Sequence, residues 1–113
     1  MHEVAIARSI QRIVERARCG RAVESVAVDI GALRQVVPET LTACWDLVVA
    51  GTELAGARLE TAAIPAVVWC RTCDHRRQLV DLPSMMCEAC GGTATVTESG
   101  EELLVRSISL REG

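Results

Sequence analysis

The sequence predicts an α+β fold in which two helices pack against a small sheet of about three strands, with a four-cysteine module inserted between strands. Three observations predict this class: two segments with helical spacing of apolar residues, strand-like alternation after each of them, and two CxxC pairs late in the chain. We expect one α/β domain made of residues 1–65 and 98–113, and a separate module over residues 66–97.

The first helix is predicted from Glu3 to about Ala17. Its apolar residues recur at three- and four-residue spacing, namely Ile6, Ile10, Ile13 and Ala17, and the stripe is widened by Ala7 and Val14. Gly20 lies where the helix should end. Apolar residues then alternate from Val26 to Ile30, which predicts a half-buried strand that ends at Gly31.

The second helix is predicted to begin at Pro38, because proline is well tolerated in the first helical turn, and to stop at Gly51. Its predicted buried stripe is Leu41, Cys44, Trp45 and Val48. A second strand should run from Arg58 to Ile64 and close at Pro65. The last strand covers residues 103–110, but its alternation does not show which face is buried.

Composition and charge exclude several classes of function. Aromatic residues make up 2% of the chain and the formal net charge is −3, so neither a base-stacking surface nor a general phosphate-binding surface is expected. No apolar run is long enough to span a membrane, and the charged N-terminal segment does not resemble a signal peptide. We therefore expect a cytoplasmic protein with no membrane or nucleic-acid partner.

The strongest motif is a pair of cysteine knuckles. Cys70 and Cys73 form one CxxC, and after thirteen residues Cys87 and Cys90 form a second, followed by glycine. Two knuckles at this spacing can close a tetrahedron of thiolates around zinc, as in zinc ribbons. Gly91 and Gly92 should let the backbone curl beneath the metal with positive φ. Four thiolates leave no open position, so the predicted role of Zn(II) is structural.

Two other interpretations of the cysteines stay open. The first is a dithiol redox site or a pair of disulfides, although a redox CxxC usually stands alone. The second is a zinc ribbon that binds nucleic acid or another protein. Charge disfavours nucleic acid, because three arginines and three acidic residues cancel over residues 66–97 and a zinc-tetrathiolate adds a net charge of about −2.

The chain start, Met1-His2-Glu3, has the chemistry of a second metal site. An α-amine, an imidazole one residue later and the intervening amide nitrogens can wrap a divalent ion in adjoining chelate rings. Strong nitrogen donors in a plane suit Ni(II) or Cu(II). The alternative is an ordinary solvated terminus.

These motifs together resemble one family. MHE at the start, VVPETL at the second helix, GTELAGARLE after it and the CxxC…CxxCG insertion occur in a fixed order. In this order they are similar to the HypA/HybF family of hydrogenase nickel-incorporation proteins, over nearly the whole chain. The chain departs from the family pattern at Asp74, where glycine is common, at Glu88, where proline is frequent, and at Leu79, where an aromatic residue is usual.

The resemblance implies a non-enzymatic metallochaperone that delivers Ni(II) during [NiFe]-hydrogenase maturation. Nickel would be held by the Met1 amine, the His2 imidazole and backbone nitrogens of His2 and Glu3, and zinc by Cys70, Cys73, Cys87 and Cys90. The implied partners are a HypB-type GTPase and the hydrogenase large-subunit precursor, and in some members the urease maturation proteins. Both a monomer and a homodimer are compatible with the sequence.

Other candidate residues carry weaker signals. His75, two residues after a knuckle, is expected to be a solvated loop side chain, and Cys44 a small buried apolar residue; Cys19 has no partner at ligand spacing. An arginine row, Arg8, Arg12 and Arg16, forms either a docking patch for an acidic partner or a solvated helix face. No phosphate-binding loop or nucleophile motif is present, which also predicts a non-enzyme.

Overall fold

The structure is a computed structural model that describes residues 2–112. Its helices and strands follow one another in the order α1 (His2–Ala17), β1 (Val23–Gly31), a 3₁₀ turn (Ala32–Arg34), α2 (Pro38–Val49), β2 (Arg58–Ile64), β3 (Val67–Cys70), β4 (His75–Gln78), β5 (Thr95–Ser99) and β6 (Leu103–Leu110). Within these residues no helix is both long and apolar enough to cross a bilayer. The predicted class, with two helices, a three-stranded sheet and a four-cysteine module, is confirmed.

The chain divides into two compact units. The first comprises residues 2–29, 36–62 and 104–112, and the second comprises residues 30–35 and 63–103. The second unit thus includes the short segment after β1 as well as the cysteine-bearing strands. The domain limits drawn from the sequence, 1–65 with 98–113 and 66–97, stay a prediction.

In the first unit, the two helices contact each other. A sheet of strand order β2-β1-β6 also supplies apolar residues to the core. The core residues of this unit are Ala7, Ile10, Val14, Val23, Val26, Val28, Leu41, Trp45, Val49, Leu54, Ala57 and Leu59. Trp45 is fully buried, and its indole Nε1 donates a hydrogen bond of 2.9 Å to the carbonyl oxygen of Ala57. This bond satisfies the one polar atom of the largest core side chain.

Helix α2 begins at Pro38 as predicted, but two of the four residues in its predicted buried stripe are not buried. Leu41, Trp45 and Val49 are buried, whereas Cys44 and Val48 are only half-buried. Spacing of four residues from Leu41 to Val49 keeps one face in register over the three turns. The predicted burial of Cys44 and of Val48 is therefore wrong, because both lie at the edge of the stripe.

A buried arginine near the end of α1 was not singled out by the sequence. Arg18 is 6% exposed, and its guanidinium contacts the carboxylates of Glu15 at 2.6 Å and Glu53 at 3.2 Å and the carbonyl of Arg21 at 3.2 Å. Its pKa is raised by these partners, first by the Glu15 hydrogen bond, against an opposing desolvation effect. Sequence gave no signal for it, because Glu53 lies 35 residues away.

The second unit is built on a sheet of strand order β4-β3-β5. Strand β3 pairs antiparallel with β4 in the register Val68 with Arg77 and Cys70 with His75, and antiparallel with β5 on its other edge. A small apolar cluster of Ala66, Val68 and Leu79 is buried here, with Ala32, Leu33, Leu82 and Met85 packed against it. The module thus has a core of its own, which borrows two residues from the segment after β1.

The burial of β6 explains why its sequence alternation does not show which face is buried. Half-buried apolar residues occupy odd positions at Leu103 and Val105 and then even positions at Ile108 and Leu110, and Leu104 is 56% exposed. No residue of β6 is fully buried. A strand whose inward residues change parity cannot show one buried face in its sequence pattern.

Gly31, at the end of β1, is required by a close backbone approach within the second unit. Its amide donates to the carbonyl of Glu102 at 2.7 Å, and the amide of Leu33 donates to the carbonyl of Gly100 at 2.8 Å. A Cβ at Gly31 would lie 2.0 Å from the Gly100 oxygen. The backbone angles of Gly31, φ −73° and ψ 144°, suit any residue, so only the lack of space selects glycine.

We therefore expect Gly31→Ala to lower the free energy of unfolding by at least the roughly 1–3 kcal/mol typical of overpacking, since the atom it meets is backbone. Gly20→Ala is the matched control, because Gly20 has φ +78° with open space around it, and should cost only about 1 kcal/mol of backbone strain. Urea unfolding followed by circular dichroism measures both variants. Equal losses for the two would refute the close-approach explanation.

Candidate metal centre

The two cysteine pairs come together in the second unit. Cys70 ends β3 and Cys73 lies in the turn that leads to β4, while Cys87 and Cys90 lie in the loop between β4 and β5. All four Sγ atoms lie within 4.8 Å of one another. Cys70 Sγ is 3.7 Å from Cys90 Sγ, and Cys73 Sγ is 3.9 Å from Cys87 Sγ, so each close pair joins the two knuckles.

The spacing of the sulfur atoms fits a tetrahedral metal ion. A tetrahedron with zinc–sulfur bonds of about 2.3 Å has edges of about 3.8 Å. The two close sulfur pairs, at 3.7 and 3.9 Å, bracket that edge length. Cys70 and Cys87 are buried, Cys73 is half-buried and Cys90 is exposed. All four donors are sulfur atoms, which a soft or borderline ion such as Zn(II) prefers.

The first knuckle is closed by backbone hydrogen bonds around Cys70. The amide of Asp74 donates to the carbonyl of Cys70 at 2.8 Å, and the amide of Cys73 donates to Cys70 Sγ at 3.4 Å. This turn requires a residue in the left-handed backbone conformation, and Asp74 adopts that conformation with φ +56°. An aspartate thus occupies the conformation that glycine adopts without strain, at the position where the family resemblance led us to expect glycine.

The second knuckle repeats the turn with glycine in that place. The amide of Gly91 donates to the carbonyl of Cys87 at 2.7 Å, and Gly91 has φ +71°. Gly92 lies outside the positive-φ set, so the prediction of positive φ holds for Gly91 and is wrong for Gly92. Gly92 serves by being small, because its amide donates to Cys90 Sγ at 3.3 Å and a Cβ there would lie 3.2 Å from that sulfur.

The protein environment separates two of the thiols by acidity. The pKa of Cys87 is lowered to about 6, first by a hydrogen bond from the backbone amide of Cys90 and then, against desolvation, by the Ala89 amide and neighbouring thiols. The pKa of Cys90 is raised to about 11: the Gly92 amide lowers it, but the adjacent cysteines and desolvation raise it more. A thiolate at one position of the cluster thus opposes the ionisation of its neighbours.

Two polar residues near the cluster were missed by the sequence analysis. The carboxylate of Glu88 accepts hydrogen bonds from the amides of Val80 at 3.2 Å and Asp81 at 3.3 Å, which ties the second knuckle to the loop after β4. The pKa of Arg77 is raised, first by Cys73 and then by Cys87, against desolvation. Neither effect has a local sequence signal, because both depend on how the loop between the knuckles folds back.

The weaker candidates stay apart from the cysteine cluster. His75 is exposed, as expected, but it lies on β4 rather than in a loop. Arg8, Arg12 and Arg16 are all exposed on α1, and Arg12 donates to the hydroxyl of Ser9 at 3.3 Å. Cys19 is exposed and Cys44 half-buried, and neither belongs to the group of clustered thiols.

The predicted nickel ligands at the chain start are described in part. Met1 lies outside the described residues. His2 and Glu3 form the first turn of α1, where the His2 side chain is 54% exposed and its Nε2 lies 3.2 Å from a Glu3 carboxylate oxygen. That oxygen also accepts from the Val37 amide at 3.4 Å. The pKa of Glu3 is lowered, first by its own backbone amide and then, against desolvation, by Val37 and His2.

Comparison with known proteins identifies the family that this chain matches. Residues 1–110 match the family model described as "Hydrogenase/urease nickel incorporation, metallochaperone, hypA". The hydrogenase maturation factor HypA 2 of Bradyrhizobium diazoefficiens is 36% identical over 113 residues, with 97% of this chain and 99% of that protein covered. HypA of Geotalea daltonii is 38% identical over 110 residues, with 97% and 99% covered.

Solved structures share the fold at lower identity. The solution structure of the Ni metallochaperone HypA from Helicobacter pylori superposes with a TM-score of 0.66 at 18% identity, covering 96% of both chains. A second solution structure of a HypA protein gives 0.69 at 19% identity, covering 98% of this chain and 97% of the other. With the sequence match over almost its full length, the chain belongs to the HypA family of hydrogenase/urease nickel-incorporation metallochaperones.

Proposed function

We propose that this metallochaperone, which is not an enzyme, holds Ni(II) at its N-terminus and keeps Zn(II) as a resident structural ion. The observation that carries the zinc half is the convergence of four thiols at tetrahedral spacing. Cys70, Cys73, Cys87 and Cys90 would hold the ion, which would supply cross-linking of the two knuckles. With four thiolates the coordination is closed, so this site stores no cargo.

The nickel half rests on the chain start. The proposed donors are the Met1 amine, the His2 imidazole and the backbone nitrogens of His2 and Glu3. The amides of a first helical turn have no intrahelical acceptor, so their use as ligands sacrifices no helical hydrogen bond. The exposed imidazole can be replaced by donors from a recipient one bond at a time. Because such donors must lose protons to bind, nickel affinity should fall as the pH falls.

The family description indicates the recipients. We propose that nickel passes to the large-subunit precursor of a [NiFe]-hydrogenase with the help of a HypB-type GTPase, and that urease maturation proteins are alternative recipients. The absence of a phosphate-binding loop from the sequence assigns nucleotide hydrolysis to a partner. We place this work in the cytosol, where thiols stay reduced and available to zinc. Family membership favours this function over a nucleic-acid-binding ribbon.

Removing one cluster thiol should release zinc without touching nickel. We expect Cys73→Ser to lower the zinc content from one equivalent to nearly none after dialysis against a mild chelator, because one strong thiolate ligand is lost. Cys19→Ser is the matched control, since Cys19 is exposed and outside the cluster. Elemental analysis gives the metal content. Full zinc retention by Cys73→Ser would contradict the proposed ligand set.

Changing the first residues of the chain should weaken nickel binding and leave the zinc content unchanged. We expect His2→Ala to weaken nickel binding by more than the roughly 10–100-fold that loss of an outer-shell partner typically costs, because a direct ligand disappears. One glycine added before Met1 should abolish the site by displacing the amine from chelation. The control is His75→Ala, the other histidine of the chain. Titration calorimetry with Ni(II) reports affinity; unchanged binding after both N-terminal changes would refute the donor set.

The strained knuckle offers a stability test. Asp74→Gly should raise the free energy of unfolding of the zinc-loaded protein by about 0.5–1 kcal/mol, because glycine adopts positive φ without the penalty of a Cβ. Asp74→Ala should destabilise, since alanine tolerates this conformation less well than aspartate. Denaturant unfolding with zinc in excess measures both. A loss of stability in Asp74→Gly would show that the aspartate side chain itself is needed.

A further inference from the structure

The arginine row of α1, formed by Arg8, Arg12 and Arg16, carries a positive charge that its own surroundings do not balance. All three side chains are exposed. Successive members lie four residues apart, so they share one face of the helix and the row is about 12 Å long. Among residues 2–112, no carboxylate oxygen lies within 4.0 Å of their guanidinium nitrogens. Like charges at this spacing repel one another, so the row by itself opposes helix formation.

Both acidic residues of α1 are committed to other partners. The carboxylate of Glu15 accepts hydrogen bonds of 2.6 and 2.9 Å from the guanidinium of the buried Arg18. The carboxylate of Glu3 lies 3.2 Å from the His2 imidazole and accepts a hydrogen bond from the Val37 amide. The helix contains no other aspartate or glutamate. The arginine row therefore presents its charge to solvent, although the whole chain has a formal net charge of −3.

The surroundings of the arginine row favour a protein partner over a membrane or a nucleic acid. The apolar face of α1, which would have to enter a bilayer, is instead buried in the core through Ala7, Ile10 and Val14. The helix has no phenylalanine, tyrosine or tryptophan on which a base could stack. Ile13 is 51% exposed and precedes Arg16 by three residues, so an apolar side chain borders the row. Arginines next to an apolar contact are typical of protein interfaces.

The arginine row shares its helix with the proposed nickel donors at His2 and Glu3. Arg8 follows His2 by six residues, which is a rise of about 9 Å along the helix axis. The His2 side chain is 54% exposed, so a protein bound along the row has access to it. Guanidinium groups bind carboxylates through two parallel N–H donors. Carboxylates spaced about 6 Å apart, as on every fourth residue of a helix, match the spacing of the row.

We infer that the arginine row binds an acidic segment of the protein that receives nickel, and so holds this recipient beside His2. The inference rests on the proposed function, in which the recipient is the hydrogenase large-subunit precursor. Docking on the row brings the recipient's metal ligands close to the exposed nickel donors and uses none of those donors itself. The attraction between the row and the acidic segment speeds their encounter and weakens as salt screens the charges.

The test measures binding of the full-length, nickel-loaded protein to the large-subunit precursor by biolayer interferometry. The row variant combines Arg8→Gln, Arg12→Gln and Arg16→Gln, because glutamine is a good helix former without charge. At low salt we expect its affinity to fall about 10-fold, since each exposed arginine–carboxylate pair contributes a factor of a few. At about 1 M salt the Debye length falls to about 3 Å, so parent and row variant should differ by less than about threefold.

Two further variants separate the position of the charges from their number and their shape. The matched control neutralises three exposed arginines outside α1, with Arg58→Gln, Arg71→Gln and Arg111→Gln. It changes the net charge of the chain by the same amount as the row variant, and its affinity should stay within about twofold of the parent. A variant with lysine at all three row positions should lose less than the glutamine variant, because it keeps the charge but not the planar donor groups.

Circular dichroism checks that each variant keeps its helices. If the row variant unfolds, Arg12→Glu decides alone, because it reverses the charge at the centre of the row, and parent-like affinity in it overturns the inference. Equal affinity of the row variant and the matched control also overturns it. A row variant that loses binding to duplex DNA or to phosphatidylserine vesicles, yet binds the precursor like the parent, assigns the row to another partner and overturns it as well.

Nickel binding separates this inference from the proposed function on which it rests. Calorimetric titration with Ni(II) should give the same affinity for the row variant and the parent, because no row arginine is a proposed donor. A parent protein that binds nickel and the precursor, with a row variant equal to the matched control, leaves the proposed function intact and overturns only the docking role. A parent protein that fails to bind nickel or the precursor refutes that part of the proposed function and the inference with it.

Discussion

The convergence of four thiols to within 4.8 Å of one another is the constraint on which the second unit depends. Only Ala66, Val68 and Leu79 form its buried apolar cluster, and the loop that carries Cys87 and Cys90 has no regular secondary structure. Without a shared ion, four sulfur atoms at this distance gain little from one another, and ionisation of one opposes that of the next. In the proposed zinc-bound state the cation would reverse the sign of these interactions, so metal binding would be coupled to the folding of this unit.

The two knuckles solve the same backbone problem with different residues. Each knuckle needs a residue with positive φ directly after its second cysteine. Gly91 adopts this conformation without strain, whereas Asp74 adopts it with some backbone strain. Departures from the family pattern at Asp74 and Glu88 leave every thiol in place. Glu88 even adds contacts, because its carboxylate holds two amides of the preceding loop.

Sequence reasoning succeeded where the signal was local. The helical spacing around Ile10 predicts α1 but not all of its buried face, because Ile13 and Ala17 of the predicted stripe are exposed. The proline at the start of α2 and the paired CxxC motifs each predict their local structure within a few residues. It failed where the signal depends on distant pairing. The register that sets Arg77 opposite Val68 is one example, because a four-residue strand such as His75–Gln78 shows no alternation from which to predict it. Leu33 packs against the core of the module from a segment some 30 residues earlier in the chain, and no sequence motif predicts this contact.

The two proposed sites differ in the property that decides whether an ion stays or leaves. At the cysteine cluster two of the four thiols are buried, and the four sulfur atoms offer a complete tetrahedral donor set. At the start of α1 the imidazole of His2 is half-exposed, and the neighbouring amides belong to a helical turn that leaves them without intrahelical acceptors. An incoming ligand can attack an ion there without first opening the fold. Exchange at the thiolate cluster requires the knuckles to separate, which couples it to unfolding of the unit. For the carrier proposed above, this difference in accessibility would let nickel leave while zinc stays, and the two proposed donor sets lie in separate units.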